Sequence, residues 1–318
     1  ISGNMTAADL VKFLTKTIRA DRLTSLLAQS REIEGQTHPT FRLVGPLDKP
    51  EGITFAGGEV LAEQVSLVNP SLPQRLTAMH GRILFSQTGG AQFDQVTANV
   101  GETQLQFNGM ISGGTPSVFQ DFVIRAKGSA AQLRQMVSAG TFPDDLLYGM
   151  VNAKVQLSGP SGAPHLRGEI GLNDAKLVLP MVGEKPLGSP ASLELDADVT
   201  RGVGLVISRM ELVVPPLRLP LKGHITLGDQ FSIDASLASG TVSLSSLPEW
   251  IYRSGFEAGN LEISMDVKGT DAEWRNWRTG GWLALTNGLM SVKGVDGQVE
   301  DIYLRLKFSK NIADIKQL

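Results

Sequence analysis

Apolar and polar residues alternate one by one through the middle of the chain. Apolar side chains occupy every second position over 151–157, 193–199 and 217–221, with mostly polar residues between them. A period of two is typical of strands that have one buried face and one solvated face. Short turns such as Gly-Pro-Ser-Gly at 159–162 separate these runs and favour antiparallel neighbours. The pattern therefore predicts a mainly β chain that forms an antiparallel sheet.

The alternating pattern is itself repeated along the chain. Gly35 and Gly149 are separated by 114 residues (149 − 35), and Gly109 and Gly223 by the same number (223 − 109). A third copy opens at Gly259, which follows Gly149 by 110 residues (259 − 149). Self-similarity at a fixed period is typical of proteins built by adding similar units, each of which buries its apolar face against its neighbours. We therefore expect a repetitive sheet.

A short helix is predicted before each copy of the repeat. A hydroxyl residue is followed three positions later by an acidic or amide residue at 6–9, 129–132 and 246–249, which is the pattern of a capping box at a helix start. Apolar residues at helical spacing accompany each motif, so one side of each helix must dock on another surface. These helices either cap the sheet as part of its core or act as a lid or membrane-facing element.

These signals divide the chain into four segments. The predicted segments are a helical segment 1–34, a β-repeat 35–148 with a helical insertion near 129–147, a second β-repeat 149–258 with a helical insertion near 243–253, and a partial third β-repeat 259–318. The chain begins at Ile1 without a methionine and stops within the third copy. We therefore expect it to be part of a longer protein.

The composition excludes several classes of function. The chain has no cysteine, which excludes thiolate metal sites, disulfides and cysteine nucleophiles. A formal net charge of −3 gives no electrostatic footprint for nucleic acid. The four histidines lack the spacing of metal ligands, and no nucleotide-binding, zinc-protease or nucleophile motif is present. We therefore predict a protein that is not an enzyme and uses no cofactor or metal.

Several degenerate motifs of the repeat resemble a known family. They are Leu-Ser-Gly at 157–159, the run Pro-His-Leu-Arg-Gly-Glu-Ile-Gly-Leu at 164–172, Leu-Lys-Gly-His-Ile-Thr-Leu at 221–227 and Ala-Ser-Leu-Ala-Ser-Gly at 235–240. With these residues the chain resembles the AsmA-like superfamily of Gram-negative envelope proteins, over most of residues 35–318. The repetition of the motifs strengthens the resemblance.

The resemblance implies a fold and a function. The implied fold is an elongated, repetitive antiparallel β-sheet or groove, β-taco-like, with short helical insertions between repeats. The implied function is phospholipid transport between the inner and outer membranes through a hydrophobic groove. The protein would then be periplasmic and tethered to the inner membrane by an anchor outside this chain, with phospholipid acyl chains and envelope proteins as partners. The alternative is an envelope scaffold or outer-membrane assembly factor whose closed β-core binds protein partners.

The period-two pattern also predicts which side chains line such a groove. Residues of one parity on the predicted strands are apolar and alternate with polar neighbours, so they share one face. The predicted groove residues are Val155, Leu157, Ile170, Leu172, Leu195, Leu219, Leu221, Ile225, Leu261, Ile263, Leu283 and Leu285.

Overall fold

Strands account for most of the computed structural model, as the alternating pattern predicts. They pair in antiparallel fashion in a sheet that does not close on itself, so the prediction of a mainly β, antiparallel fold is confirmed. The structure describes residues 2–17, 29–46, 48, 52, 54–70, 72–137, 147–179, 183–200, 204–226, 231–238, 240–251, 256–271, 273, 276–291, 297–309 and 312–317.

The chain divides into two compact units. The first comprises Ile1–Met136 and Asn152–Leu166, and the second comprises Val137–Val151 and Arg167–Leu318. The elements up to the second helix are β1 Met5–Thr6, α1 Ala7–Thr17, β2 Arg31–Val44, β3 Thr54–Val68, β4 Leu76–Ser86, β5 Ala91–Val100, β6 Thr103–Ile111, β7 Val118–Ser129 and α2 Ala130–Val137.

The remaining elements are again almost all strands. They are β8 Leu147–Pro160, β9 His165–Gly171, β10 Ala175–Leu179, β11 Gly183–Lys185, β12 Ser192–Thr200, β13 Gly204–Val214, β14 Leu217–Thr226, β15 Ser232–Ala238, β16 Val242–Ser243, a 3-10 turn Leu244–Ser246, β17 Phe256–Gly269, β18 Arg278–Ser291, β19 Gln298–Ser309 and β20 Ile312–Gln317. None of the helices in these described ranges is long and apolar enough to cross a membrane.

The elements recur with the same shift as the sequence. Strands β6 and β14 begin 114 residues apart (217 − 103), and so do β7 and β15 (232 − 118). Helix α2 and the 3-10 turn are also separated by 114 residues (244 − 130). The long strands β2, β8 and β17 contain Gly35, Gly149 and Gly259, so each predicted repeat start falls within a strand. The exact repeat boundaries stay a prediction.

In the first unit, helix α1 packs on one side of the sheet, where strands β2 to β5 carry apolar residues. Direct cross-strand partners place Phe41, Gly58, Phe85 and Ala91 side by side on β2 to β5, and opposite residues of antiparallel strands share a face. The buried Leu10 and Leu14 of α1 belong to the same hydrophobic cluster as Phe41, Phe85 and Ala91, and the ring of Phe13 stacks on Phe41 at 4.8 Å. This helix therefore forms part of the core, which is the first of the two roles that the sequence leaves open.

The hydroxyl half of the predicted capping box forms at two of the three sites. The Asp9 amide donates to the Thr6 hydroxyl at 3.2 Å, and the Gln132 amide donates to the Ser129 hydroxyl at 3.3 Å. The prediction of a helix that starts at Ser246 is wrong, because Ser246 ends the 3-10 turn and its hydroxyl donates back to the Ser243 carbonyl at 2.7 Å. Pro248 explains this, since a proline disfavours helical backbone at the residue before it.

The predicted helical insertions are only partly covered by the described residues. Helix α2 lies within the predicted insertion 129–147, of which residues 138–146 fall outside the described part of the chain. The 3-10 turn lies within the predicted insertion 243–253, of which residues 252 and 253 fall outside it. In the predicted helical segment 1–34, residues 18–28 are likewise not described, and β2 already begins at Arg31.

A line of β-bulges crosses the sheet of the first unit. At each of three strand pairs, a bulge residue with a left-handed backbone on one strand faces a glycine with positive φ on its neighbour. A Cβ built on each glycine would lie 2.4–2.9 Å from the carbonyl oxygen of its bulge residue. Bulges bend a strand and increase its twist, so this line creases the sheet. The pairs are Gly35 with Gln64, Gly81 with Gln95, and Gly109 with Asp121.

In the second unit, a buried lysine stabilises the small hairpin of β10 and β11 through hydrogen bonds. Lys185 has no exposed surface, and its ammonium donates to the carbonyls of Asn173, Ala175 and Pro186 at 3.3, 2.7 and 3.0 Å. Three carbonyl acceptors satisfy all three N–H donors of the ammonium. Burial lowers the pKa of Lys185 below its ordinary value, and the nearby carboxylate of Asp174 opposes this.

The lowered pKa of Lys185 predicts a specific pH dependence of stability. The unfolded chain binds one more proton than the folded chain between the lowered pKa and the ordinary value of 10.5, so the free energy of unfolding should rise as the pH increases through that window. Urea unfolding of the wild type and of Lys185→Met, measured at pH values from 8 to 10.5, isolates this contribution. We expect the difference in stability between the two proteins to grow in favour of the wild type with rising pH, and parallel curves would contradict the assignment.

Candidate hydrophobic face

A continuous row of apolar side chains crosses the sheet of the second unit. Leu195 on β12 is opposite Met210 on β13, Met210 is opposite Leu221 on β14, Leu221 is opposite Leu237 on β15, and Leu237 is opposite Met265 on β17. Opposite residues of antiparallel strands lie on the same face. All five are half-buried, so they retain exposed apolar surface. We call these five residues the central apolar row.

A second row runs parallel to the first on the same face. Val199, Leu205, Ile225 and Ile233 are successive cross-strand partners on β12 to β15, and all are half-buried. Between the two rows lie smaller or fully buried residues, including Ala197, Ile207 and Ala235. The two rows and the residues between them form one apolar surface, which we call the apolar face.

The opposite side of the same strands is polar. Lys222 on β14 faces Ser236 on β15, which faces Asp266 on β17, and all three are exposed. Along the same side, the Lys268 ammonium contacts the Asp234 carboxylate at 2.9 Å. Successive residues of a strand point to opposite faces, so the sheet separates an apolar side from a charged side.

The charged side includes one buried carboxylate. Glu211 accepts hydrogen bonds from Arg209 at 2.6 Å and from Arg218 at 3.3 Å, while both arginines stay exposed. The bond from Arg209, with that from Arg218, holds the pKa of Glu211 below its usual value although burial opposes this. Two arginines therefore compensate the charge of the buried carboxylate, and the cluster lies on the side away from the apolar face.

One end of the apolar face is covered by residues 244–251, which we call the covering segment. Leu244, Leu247 and Ile251 of this segment form a buried cluster with Leu217 of β14 and Leu285 of β18. The segment is fixed by a bridge between Ile251 and Gly183 of β11. The covering segment begins at the point of the chain where the 114-residue repeat assigns a helix, and the residues of the central apolar row stay half-buried.

The structure brings most of the predicted groove residues of the second unit onto this face. Leu195 and Leu221 lie in the central apolar row, and Ile225 lies in the second row. Ile263 pairs across the strands with Leu283, and Leu261 pairs with Leu285. Leu219 packs against the cluster that Leu285 forms with the covering segment.

Four predicted groove residues lie elsewhere in the chain. Ile170 lies in strand β9, and the buried Leu172 directly follows that strand. The Leu172 amide donates to the Ala191 carbonyl at 2.9 Å next to β12. Val155 and Leu157 belong to β8 in the first unit and are half-buried. The grouping of all twelve in one groove stays a prediction.

The comparisons with known proteins give no relative from which to transfer a function. No family model, no curated protein and no solved structure matches this chain. Its function is therefore inferred from the residues and geometry of the chain itself.

Three members of the central apolar row are missing from the predicted groove set. The period-two pattern misses Met210 because of a bulge between Ile207 and Met210. The bulge brings residues of opposite parity onto the same face of β13. Leu237 and Met265 continue the apolar parity of β15 and β17, and that parity is the signal that would have found them.

The apolar face can shield alkyl groups from water but offers no group for acid, base or nucleophilic chemistry. The side chains of both rows are aliphatic or thioether groups. Among the residues that the structure describes, no group of three His, Asp or Glu side chains could hold a metal ion. The arrangement is therefore suited to binding hydrocarbon.

Proposed function

We propose that this chain is the non-enzymatic periplasmic part of an AsmA-like protein and carries phospholipid acyl chains along its apolar face. The central apolar row is the observation that carries this proposal. Its five half-buried side chains form an unbroken apolar path across five strands of one open sheet. Location in the periplasm and tethering to the inner membrane by an anchor outside this chain follow from the family resemblance.

The length of the central apolar row matches the length of an acyl chain. Five neighbouring strands span four gaps of about 4.8 Å, or roughly 19 Å. One leaflet of a bilayer is half of a hydrocarbon core of about 30 Å, so an extended acyl chain in it spans about 15 Å. The row is therefore long enough to accommodate one acyl chain laid across the strands.

The partial exposure of the row favours transient binding. Complete burial of a methylene group is worth about 0.8 kcal/mol, so complete burial of a dozen would be worth roughly 10 kcal/mol. A half-open surface removes only part of each methylene from water and recovers only part of that free energy. Because neighbouring positions along the row are chemically similar, a chain can shift by one strand without losing most of its contacts. Such a surface suits a carrier better than a storage site.

The polar side of the sheet restricts lipid to one face. Lys222, Ser236 and Asp266 stand directly behind the central apolar row and are exposed to water. Transfer of charged groups into hydrocarbon is strongly unfavourable, so acyl chains are excluded from that side. The two faces therefore provide a matched pair of test positions on each strand.

Site-specific photo-crosslinking in the periplasm of Gram-negative cells tests this proposal. A photoreactive residue at Leu221 or Leu237 should yield phospholipid adducts that are detected by mass spectrometry. The same residue at the neighbouring positions Lys222 or Ser236 should yield background only, because these side chains point to the other face.

Two outcomes would contradict the proposal. Equal lipid capture on both faces would indicate nonspecific partitioning. Protein adducts without lipid at Leu221 and Leu237 would favour the alternative of an envelope scaffold. Thermal unfolding of each variant, compared with the wild type, controls for loss of the fold.

A further inference from the structure

Two long strands of the sheet, β2 and β17, carry a short outer strand in the same register. Strand β1 pairs with residues 36–37 of β2, and β16 pairs with residues 260–261 of β17, which lie 224 residues later (260 − 36). Gly35 of β2 and Gly259 of β17 are separated by the same number (259 − 35). In both cases a helical element starts at the next residue, Ala7 after β1 and Leu244 after β16. Strand β2 is therefore the counterpart of β17.

The two strands differ in what pairs with the rest of the outer edge. On β17, residues 264–269 pair with β15. The counterparts of these residues on β2 are residues 40–45, of which Thr40 forms a bridge with Ser2. Among the described residues, no strand pairs with Arg42, Leu43 or Val44 on this edge. A strand edge of this kind presents N–H and C=O groups that can pair with another extended segment.

The side chains along this edge suit an amphipathic partner strand. Leu43 is half-buried and packs against the hydrophobic cluster beneath α1. Arg42 and Val44 are exposed, and they lie on the other side of the sheet because successive residues of a strand point to opposite faces. A partner strand must therefore place an apolar residue beside Leu43 and polar residues on either side of it.

Strand β15 has this pattern in the register that it adopts on β17. The buried Ala235 occupies the position that would be opposite Leu43. The exposed Ser236 and Asp234 occupy the positions that would be opposite Arg42 and Val44. The repeat therefore indicates both the register and the chemistry of a strand that fits the edge of β2.

We propose that residues 42–44 of β2 form a docking site for an extended strand of the β15 type, which adds to the sheet antiparallel to β2. Main-chain hydrogen bonds supply the affinity, and the alternation of apolar and polar side chains sets the register. An acidic residue opposite Arg42 adds a cross-strand ion pair. The inference concerns an edge of the sheet and not the apolar face, so it is independent of the proposed function.

Disulfide trapping in a defined register tests the proposal, because the chain has no cysteine of its own. The variant Val44→Cys is incubated in a glutathione redox buffer with a synthetic peptide of residues 231–237 that carries Asp234→Cys. In the proposed register the two cysteines are directly opposite, with Cβ atoms about 5 Å apart, so a small adjustment allows a disulfide. Docking raises the local concentration of the two thiols, and we expect about tenfold more mixed disulfide than with a control protein.

The controls test the edge and the face separately. Val206 is also an exposed valine, but its strand β13 is paired on both sides, so Val206→Cys should give background only. A peptide with the cysteine at Ala235 instead presents its thiol to the other face and should react little with Val44→Cys. Addition of Ser236→Asp to the Asp234→Cys peptide should raise its yield by up to about fivefold, because the new carboxylate is opposite Arg42.

Wild-type protein provides a measurement that needs no variant. The unmodified peptide at saturating concentration should slow amide hydrogen exchange in residues 41–44 of β2. Unchanged exchange there, or equal disulfide yields from Val44→Cys and Val206→Cys, would overturn the proposal. Equal yields from the two cysteine peptides would overturn the proposed register. A disulfide-linked dimer of Val44→Cys that forms in preference to the peptide adduct would overturn the assignment in favour of a second copy of the chain.

Discussion

Replacement of Gly109 by alanine is expected to lower the free energy of unfolding by about 3 kcal/mol, as estimated from the combined cost of backbone strain and a steric clash. Gly109 has a φ of +123°, and a Cβ at this position would lie 2.4 Å from the Asp121 carbonyl oxygen and 2.6 Å from the Phe122 Cα. Both contacts are to backbone atoms of β7, so no side-chain rotation relieves them. The pairing of β6 with β7 must shift, and we expect faster amide hydrogen exchange along both strands.

Gly114 offers a matched control for this substitution. It also has a positive φ, of +109°, but a Cβ there would have no atom within 4 Å. Gly114→Ala should therefore cost only the strain of a left-handed backbone, about 1–2 kcal/mol. Urea unfolding of both variants gives their losses of unfolding free energy, and the difference between the two losses is the cost of the steric clash. Equal losses of stability would show that the close approach of β6 and β7 contributes nothing to the destabilisation by Gly109→Ala.

Replacement of Leu285 by alanine is expected to cost about 2–5 kcal/mol, the range for deletion of a fully buried leucine side chain. Leu285 is only 2% exposed and joins the covering segment to the sheet through its cluster with Leu244, Leu247 and Ile251. The cavity left by the substitution lies under the covering segment. We therefore also expect amide exchange in that segment to accelerate more than exchange in the first unit.

A surface leucine of the same unit distinguishes burial from residue type. Leu187 is 65% exposed, so Leu187→Ala should change the free energy of unfolding by no more than about 0.5 kcal/mol. Chemical unfolding and hydrogen exchange of both variants provide the measurements. If Leu285→Ala were as mild as Leu187→Ala, the covering segment would not be held by this cluster.

The sequence predicted the fold class because its main signal is local. Period-two alternation on β12 and β14 depends only on neighbouring residues, and it correctly indicated strands with an antiparallel arrangement. It also put Leu195 and Leu221 in the same predicted set, and the register of the strands brings both into the central apolar row through Met210.

The features that the sequence could not predict depend on contacts between distant residues. The bulge before Met210 changes the parity of β13 and is defined only by its pairing with β14. The carbonyls of Asn173, Ala175 and Pro186 that hold Lys185 come together only when the hairpin folds. The burial of Trp250 Nε1, which has no acceptor among the described residues, likewise depends on the cluster that forms around it.

In the first unit, the residues that bend the sheet at the line of β-bulges are different from those that supply its apolar side chains. Glycines such as Gly81 and Gly109 and their bulge partners act through the backbone, whereas neighbours such as Ile83 and Phe93 supply the apolar side chains. A change of Ile83 to valine or leucine alters the packing against the hydrophobic cluster beneath helix α1 and leaves the glycines and bulge residues of the bend in place. The bend of this sheet and the packing of its apolar side chains can therefore change independently of each other.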